Sequence, residues 1–301
     1  MNIEQRTGRK ITTLCSLLGY SRQAFYQWKE AAEQSALKEE LIVQEVLRIR
    51  ERQKRLGGKK LYVLLGNFLQ EHNISIGRDA FLNVLSEYDL NIRKRKRKIP
   101  RTTFSDPLFR KYANLTIGLH PTGANQLWVS DITYISLSDG FAYLSLVTDA
   151  YSRMIVGYYL SKDLSAAGCV KALKMAMKQL SQGSSLIHHS DRGSQYCSME
   201  YTEILYNSDI SISMTQNSDP RENAIAERIN GIIKQELLDT GYDSLALAVT
   251  GIKNAVDIYN NERPHSSLNM LPPVKAHAMT GELKKHWKNY YATKRKEVSM
   301  T

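Results

Sequence analysis

Cysteine is scarce in this sequence, and the few that occur form no pattern. Cys15, Cys169 and Cys197 lie far apart along 301 residues. That excludes a disulfide framework and the paired spacing of a zinc site, and it suits a reducing compartment. No run of 18 apolar residues is present, so no membrane span is expected. The opening MNIEQRTGRKITTLC has no apolar centre of the signal-peptide kind, and the expectation is a cytoplasmic protein. Negative charge is also in short supply: 30 Asp and Glu stand against 41 Lys and Arg, for a net charge of +11.

The distribution of that charge carries more information than its sum. Residues 1–100 hold 20 basic and 11 acidic side chains, or +9; residues 101–240 hold 12 against 14, or −2; residues 241–301 hold 9 against 5, or +4. Solubility charge would be spread evenly. Basic arms around a slightly acidic middle suit a polyanion such as nucleic acid, with the chemistry in the middle.

The basic N-terminal part is helical in pattern. In ITTLCSLLGYSRQAFYQWKE, Leu14, Leu17 and Leu18 have helical spacing, Gly19 and Tyr20 break the helix, and Ser21 can cap the next one. This predicts a helix-turn-helix over residues 1–35 that offers Arg22, Gln23 and Tyr26 to DNA; a plain helical hairpin would read alike. Residues 36–92 predict a second helical DNA-binding module, with helices before and after Gly57-Gly58 and a third from about Ser75–Arg78 to Tyr88. A basic linker over 93–124 begins with RKRKRK, a run that cannot pack and is either a solvated spacer or an arm on phosphates.

From Asn125 the texture changes. LWVSDITYISL alternates, with Val129, Asp131, Thr133 and Ile135 on one face, and it is followed by FAYLSLVTDAYS and RMIVGYYLS. Three closely spaced strands predict an antiparallel meander. A helix containing Met175 and Met177, both read as core, leads to the strand SLIHHSD, a further helix, the strand ISISMT and a last long helix. For that helix Asp219 is the expected cap, Pro220 the first helical residue and Glu222 the partner in a capping box. The order β-β-β-α-β-α-β-α predicts a mixed five-stranded sheet with helices on both faces over residues 125–240, and 241–301 reads as a helical, basic C-terminal extension.

Three carboxylates sit at informative places in that order. Asp131 is in mid-strand, where an unpartnered charge is costly. Asp191 ends the fourth strand, and Glu227 lies in the last helix; 59 residues separate the first two and 35 the second two. Converging carboxylates without sequential spacing suit hard, oxygen-liganded ions such as Mg²⁺ or Mn²⁺. Two such ions activate an attacking hydroxyl and stabilise a leaving oxygen at phosphorus. Asn223, Glu227, Asn230 and Lys234 share one helical face, which suits tracking a nucleic-acid backbone or, equally, a solvated stripe. Oxygen-preferring ions do not need imidazole. His189 is therefore read as supporting Asp191 or touching DNA, His188 as facing the other side, and Arg192 as a phosphate contact. Arg263 and His265 read either as phosphate contacts or as parts of a rigid turn. The tail KKHWKNYYATKRK reads as base-stacking or as an amphipathic helix.

The segments LWVSDITYI, HHSDRGSQY, NAIAERINGIIKQEL and YNNERPHSSLNMLPP, with LCSLLGYSRQAFYQW and RLGGKKLYVLL ahead of them, resemble the second-frame transposases of bacterial two-frame insertion sequences. Those are DDE enzymes of the retroviral-integrase superfamily. The resemblance implies an RNase H-like core, two divalent ions, and Asp131, Asp191 and Glu227 as the acidic triad, with Lys234 as the basic residue seven positions after the glutamate. It implies cleavage of DNA to expose a 3′-hydroxyl, attack of that hydroxyl on a second phosphodiester, and no covalent protein–DNA intermediate. The partners implied are double-stranded DNA in the form of element ends and target, a homo-oligomer on that DNA in the bacterial nucleoid, and an upstream-frame DNA-binding protein, joined by fusion or not. One departure is the Arg228-Ile229-Asn230 that follows Glu227, where the family carries Ser or a bulky aromatic; it bears on local DNA contacts only. The competing expectation is a DNA-binding regulator with a non-transposing RNase H-like core.

Overall fold

The computed structural model describes residues 11–93, 112–180, 185–216 and 220–283. The RKRKRK run beyond Arg93, Asp219 as a helix cap, and the KKHWKNYYATKRK tail lie outside the described residues. Two compact units share the chain, one formed by residues 1–51 and 64–91, the other by 52–63 and 92–301.

In the first unit, α1 (Ile11–Leu17) stops where Gly19 takes a left-handed φ of 72°. Ser21 then caps α2, its Oγ accepting the Ala24 N–H at 3.0 Å. Helix α2 (Arg22–Arg52) runs for 31 residues, straight through the module boundary expected at residue 35. The physical reason lies in EAAEQSALKEE, which holds good helix formers and no Gly or Pro to interrupt them. Helix α3 (Gly58–Leu64) belongs almost wholly to the second unit. Helices α4 (Gly66–Glu71) and α5 (Arg78–Glu87) complete the first, where Ile42, Val46, Leu69, Phe81 and Leu85 are buried.

The second unit is built on a five-stranded sheet of order β3-β2-β1-β4-β5. Strands β1 (Leu127–Leu137), β2 (Gly140–Asp149) and β3 (Ile155–Ser161) form the antiparallel meander. Helix α6 (Ala166–Met177) crosses over, so β4 (Ile187–Ser190) lies parallel to β1 on its other edge. Short α7 (Ser194–Cys197) and α8 (Met199–Asn207) carry the chain to β5 (Ser211–Met214), parallel to β4. This is the RNase H-like arrangement. Gly157 of β3 is where α6 comes closest: a Cβ there would overlap the Ala172 carbonyl, so only glycine fits. Met175 is exposed, against the core role expected of it, because α6 buries Cys169, Val170, Leu173 and Ala176 instead.

The two faces of the sheet are covered differently. One packs Trp128, Val147, Val156, Tyr196, Tyr201 and Leu205 against α6 to α8. The other packs Ile135, Leu144 and Leu146 against α9 (Ala224–Ile232) and α10 (Leu245–Asn261). Helix α9 is entered by a 3₁₀ turn, Pro220–Asn223, and left by a π turn, Ile233–Leu237. Helix α10 starts at its Ser244 cap, and Asn260 ties it down by bonding both the N–H and the carbonyl of Ile155, at 3.0 and 2.9 Å. The segment 263–272 is a rigid turn rather than a phosphate-facing loop. Arg263 is 1% exposed and donates twice to Glu236 Oε2, at 2.9 and 2.7 Å, and buried His265 meets Ser267 Oγ at 2.9 Å. A last short helix, α11 (Pro273–His277), follows. Among the described residues no helix is long and apolar enough to cross a membrane.

Candidate active site

Three elements converge at one end of the sheet. Strand β1 contributes Asp131 from its middle, on the face that also carries Val129 and Ile135. The parallel pairing of Val129 with His189 sets β4 alongside, so that Asp191 leaves its strand next to Asp131. Ala226 of α9 packs on Leu127 and Val129, and this brings Glu227, in the first turn of that helix, to the same end.

Asp131 is held from both oxygens. Oδ2 accepts the Asn230 Nδ2–H at 2.8 Å and Oδ1 the backbone N–H of Ile132 at 2.9 Å. Its carboxyl is nevertheless pushed up to about 7. Burial is the main cause, followed by the negative charge of Asp191, and Glu227 adds a smaller push in the same direction. Asp191 accepts the Gly193 N–H at 3.0 Å, and burial raises its pKa too. Glu227 is exposed at the rim. Among the described residues no three His, Cys, Asp or Glu side chains are gathered tightly enough to grip a metal ion as they stand. The donor set itself fits a hard divalent cation: oxygen only, two carboxylates desolvated, and a mutual repulsion that a cation would relieve.

The helical face expected to track a backbone is used differently. Asn223 is buried and donates Nδ2–H to the Ser130 carbonyl at 2.9 Å, and Asn230 is buried against Asp131. Neither side chain lies on an exposed stripe. Lys234 falls in the π turn, half-buried, with its charge felt by Asp131; burial lowers its pKa and Asp131 opposes that. Glu222 Oε2 accepts from the Gln216 N–H and from Asn114 Nδ2–H, and the Asp219 end of the expected capping box lies outside the described residues. Arg192 donates to Gln216 Oε1 at 3.2 Å. Arg22, Gln23 and Tyr26 are exposed on the first turns of α2, in the other unit.

The two histidines part company. His188 is buried on the α6–α8 face, its Nε2 between Ser130 Oγ at 2.8 Å and Tyr201 OH at 2.9 Å. Burial, and after it the neighbouring His189, push its pKa down to about 3, so the ring is neutral. Among the described residues His189 shows no hydrogen bond to Asp191; Nδ1 meets Ser213 Oγ at 2.8 Å, and Nε2 is buried with no close hydrogen-bond partner, the Glu222 backbone being its electrostatic neighbour. Burial lowers its pKa, with the backbone and carboxylate of Glu222 opposing. Sequence reasoning missed Ser213 and the Glu236–Arg263 pair, since a lone serine on a short strand and an ion pair 27 positions apart leave no local pattern.

Two Integrase core domain families match this chain, over residues 121–220 and 208–273. The chain is 33% identical to the insertion element IS600 uncharacterized 31 kDa protein of Shigella sonnei, across 87% of this chain and 96% of that one. It is 33% identical to a putative transposase for insertion sequence element IS986/IS6110 of Mycobacterium tuberculosis, across 74% and 81%. It is similar also to the transposase InsF for insertion sequence IS3A of Escherichia coli K12, at 31% identity over 51% and 54%. Among solved structures, the HTLV-2 integrase catalytic core domain in complex with magnesium matches 52% of this chain and 99% of its own, at 20% identity and a TM-score of 0.43.

Proposed function

The chain belongs to the insertion-sequence transposases built on an integrase core, and from that premise we propose that it cleaves and joins DNA strands through Asp131, Asp191 and Glu227. The observation that supports the assignment of roles is geometric: β4 pairs alongside β1 so that Asp191 ends beside Asp131, and Asn230 of α9, the helix that carries Glu227, bonds the Asp131 carboxylate at 2.8 Å. A DNA transposase needs such a concentration of negative charge to hold cations against phosphate. No observation favours a DNA-binding regulator.

Two divalent ions, Mg²⁺ or Mn²⁺, when bound there supply activation of the attacking oxygen and stabilisation of the leaving one. Asp131, Asp191 and Glu227 are the residues that would hold these ions. Asn230 and the Ile132 N–H fix the Asp131 carboxylate, and the Gly193 N–H fixes that of Asp191, so two of the three ligands are preorganised. Lys234 places a positive charge beside them for the phosphate. Water breaks the P–O3′ bond at the element end, leaving a 3′-hydroxyl and a 5′-phosphate, and that hydroxyl then attacks a second phosphodiester in line and displaces its 3′-oxygen. Arg22, Gln23 and Tyr26 on α2, within the 1–35 module, hold double-stranded DNA of the element ends, with the 36–92 module beside it. Two ends must meet, so the working form is a homo-oligomer on nucleoid DNA, alone or joined to an upstream-frame DNA-binding protein.

The test is joining of DNA that carries matched element ends in Mg²⁺, comparing wild type with Asp191→Ala. Wild type joins and the variant does not. Equal joining by both, or none by either under conditions where DNA is bound, overturns the reading.

A further inference from the structure

Helix α9 does not end as an α-helix. The chain takes the π turn Ile233–Leu237, closed by the Leu238 N–H on the Ile233 carbonyl at 3.0 Å, one residue longer than an α turn. Ile233 and Leu238, at its two ends, are buried in the core. Lys234 and Glu236 both belong to this turn. Side chains two positions apart on a helical turn leave it in roughly opposite directions. Lys234 lies about one turn beyond Asn230, which bonds Asp131 at 2.8 Å, and it is half-buried within the field of that carboxylate. Glu236 leaves by the opposite side and meets Arg263.

Arg263 is the fixed point of that contact. It is almost wholly buried, its Nε and Nη2 both donate to Glu236 Oε2, at 2.9 and 2.7 Å, and its Nη1 donates to the Pro264 carbonyl at 3.4 Å. The guanidinium also sits over the ring of Tyr259, 5.8 Å from its centre. The Tyr259 hydroxyl in turn donates to the Arg153 carbonyl at 2.9 Å. Arg153 lies between β2 and β3, so these contacts run from the π turn back to the sheet. Lys60, in the first turn of α3, adds a looser hold, its Nζ 3.5 Å from the same Glu236 oxygen. A buried guanidinium without its carboxylate is costly, so Glu236 is not free to turn away.

We propose that Glu236 is a positioning residue for strand joining: clamped by Arg263, it fixes the rotation of the π turn and so aims Lys234 at the Asp131 end of the site. The proposal rests on the transposase reading for its reaction and for the place of Lys234 at the phosphate. Glu236 acts through Lys234 and touches no reacting atom. A pair that served the fold alone could be replaced by any pair of equal stability. A pair that sets an angle could not, since a misplacement of about 1 Å at the reacting centre is felt strongly in the rate.

The experiment uses the full chain and measures joining of matched element ends at saturating DNA in Mg²⁺, with the melting temperature beside it. Glu236→Gln is expected to lower turnover by about ten- to a hundredfold and to leave DNA affinity within about twofold. Because that variant strands the Arg263 charge, a second one makes both partners apolar, Glu236→Leu with Arg263→Met. It should melt near wild type and still join at the reduced rate. A double-mutant cycle reads the path through Lys234. Lys234→Met alone lowers turnover, and adding Glu236→Gln to it changes turnover by less than about twofold. A ¹³C spectrum of the lysine Cε groups gives a readout without catalysis: the Lys234 signal, identified by its loss in Lys234→Arg, shifts in both Glu236 variants. Wild-type turnover in the apolar pair, losses that multiply in the cycle, or an unmoved Lys234 signal overturns the proposal. A wild type that binds DNA and joins nothing removes the transposase reading, and the Lys234 signal then still tests whether Glu236 aims that side chain.

Discussion

His188 and His189 are neighbours on β4, both fully buried, and they belong to different kinds of environment. His188 lies on the α6–α8 face, where its Nε2 meets two hydroxyls and the surroundings are Trp128, Tyr196 and Tyr201. On that face the polar side chains are matched to one another, and the Tyr196 hydroxyl is an exception. On the α9 face, Asn223 and Asn230 each keep one buried amide oxygen without a partner among the described residues, and Asp131 is desolvated beside two further acids. A satisfied network stabilises and fixes packing; an unsatisfied one costs stability and is tolerated where something else is to be bound. Both faces carry hydrophobic core, and on the α9 face buried bonding capacity is left over, which suits the proposed binding of DNA and metal. The comparison can be broken by substitutions whose effects should separate along the same line.

The largest effect falls on catalysis. Asp191→Asn keeps the side chain's size and removes the charge, and joining should drop by about a thousandfold or more, since a lost cation contact forfeits several kcal/mol in the transition state. A circular-dichroism melt should show the variant folded. A fall of less than about tenfold would take Asp191 out of the proposed site.

Next in size is a pH effect at Asp131. Its folded pKa is raised, to about 7 from 3.8. Folding therefore favours the protonated form. The stabilising contribution of this group is fully present below about pH 4 and is lost as pH rises through about 7, at a cost on the order of a few kcal/mol. Asp131→Asn cannot ionise. In the absence of divalent ions it should match wild type near pH 4 and be more stable at pH 8, by melting temperature. Adding Mg²⁺ at pH 8 should raise the melting temperature of wild type and leave that of the variant unmoved. A constant difference across the range would mean that Asp131 is not strained by its neighbours.

Smaller still is the contrast between the histidines. His188→Phe strands the hydroxyls of Ser130 and Tyr201 in the interior and should cost about 1–3 kcal/mol in urea denaturation. His189→Phe should cost less than half of that, because Ser213 keeps its bond to Leu115 and the ring's far nitrogen had no bond to lose. Equal costs would erase the distinction between the faces.

Much of this division is visible in the sequence. Alternation in LWVSDITYISL places Asp131 with Val129 and Ile135, and the helix between the third and fourth strands forces β4 beside β1, which is why Asp131 and Asp191 meet. Ser244 is a local cap signal, and α10 begins after it and ends at Asn261. What is not legible depends on tertiary partners. The helical wheel sets Asn223 and Asn230 on an outward stripe with Glu227, yet Asn223 turns to the Ser130 carbonyl and Asn230 to Asp131, because two desolvated acceptors on β1 attract them more strongly than solvent does. The π turn at Ile233–Leu237 leaves no mark in the order of residues, and it shifts Lys234 out of simple phase with Glu227. Arg263 reads as a surface cation until Glu236, far back in the chain, claims it. The helix through residue 35 shows the opposite failure, a boundary drawn between two helical-module readings where no helix breaker exists.

The smallest effect is expected where the two faces meet at the rim. Arg192 follows Asp191 directly, is half-buried, and among the described residues donates to the Gln216 amide oxygen, at 3.2 Å. Replacing it with Ala removes little packing, and the change in stability should stay within about 0.5 kcal/mol. If its guanidinium meets a phosphate when DNA is bound, affinity should fall alike for all sequences, and the slope of log K against log salt should become shallower by about one. Anisotropy titrations at several salt concentrations measure this directly. An unchanged slope would confine Arg192 to bracing Gln216, and the phosphate contacts at this end of the sheet would then rest on Lys234.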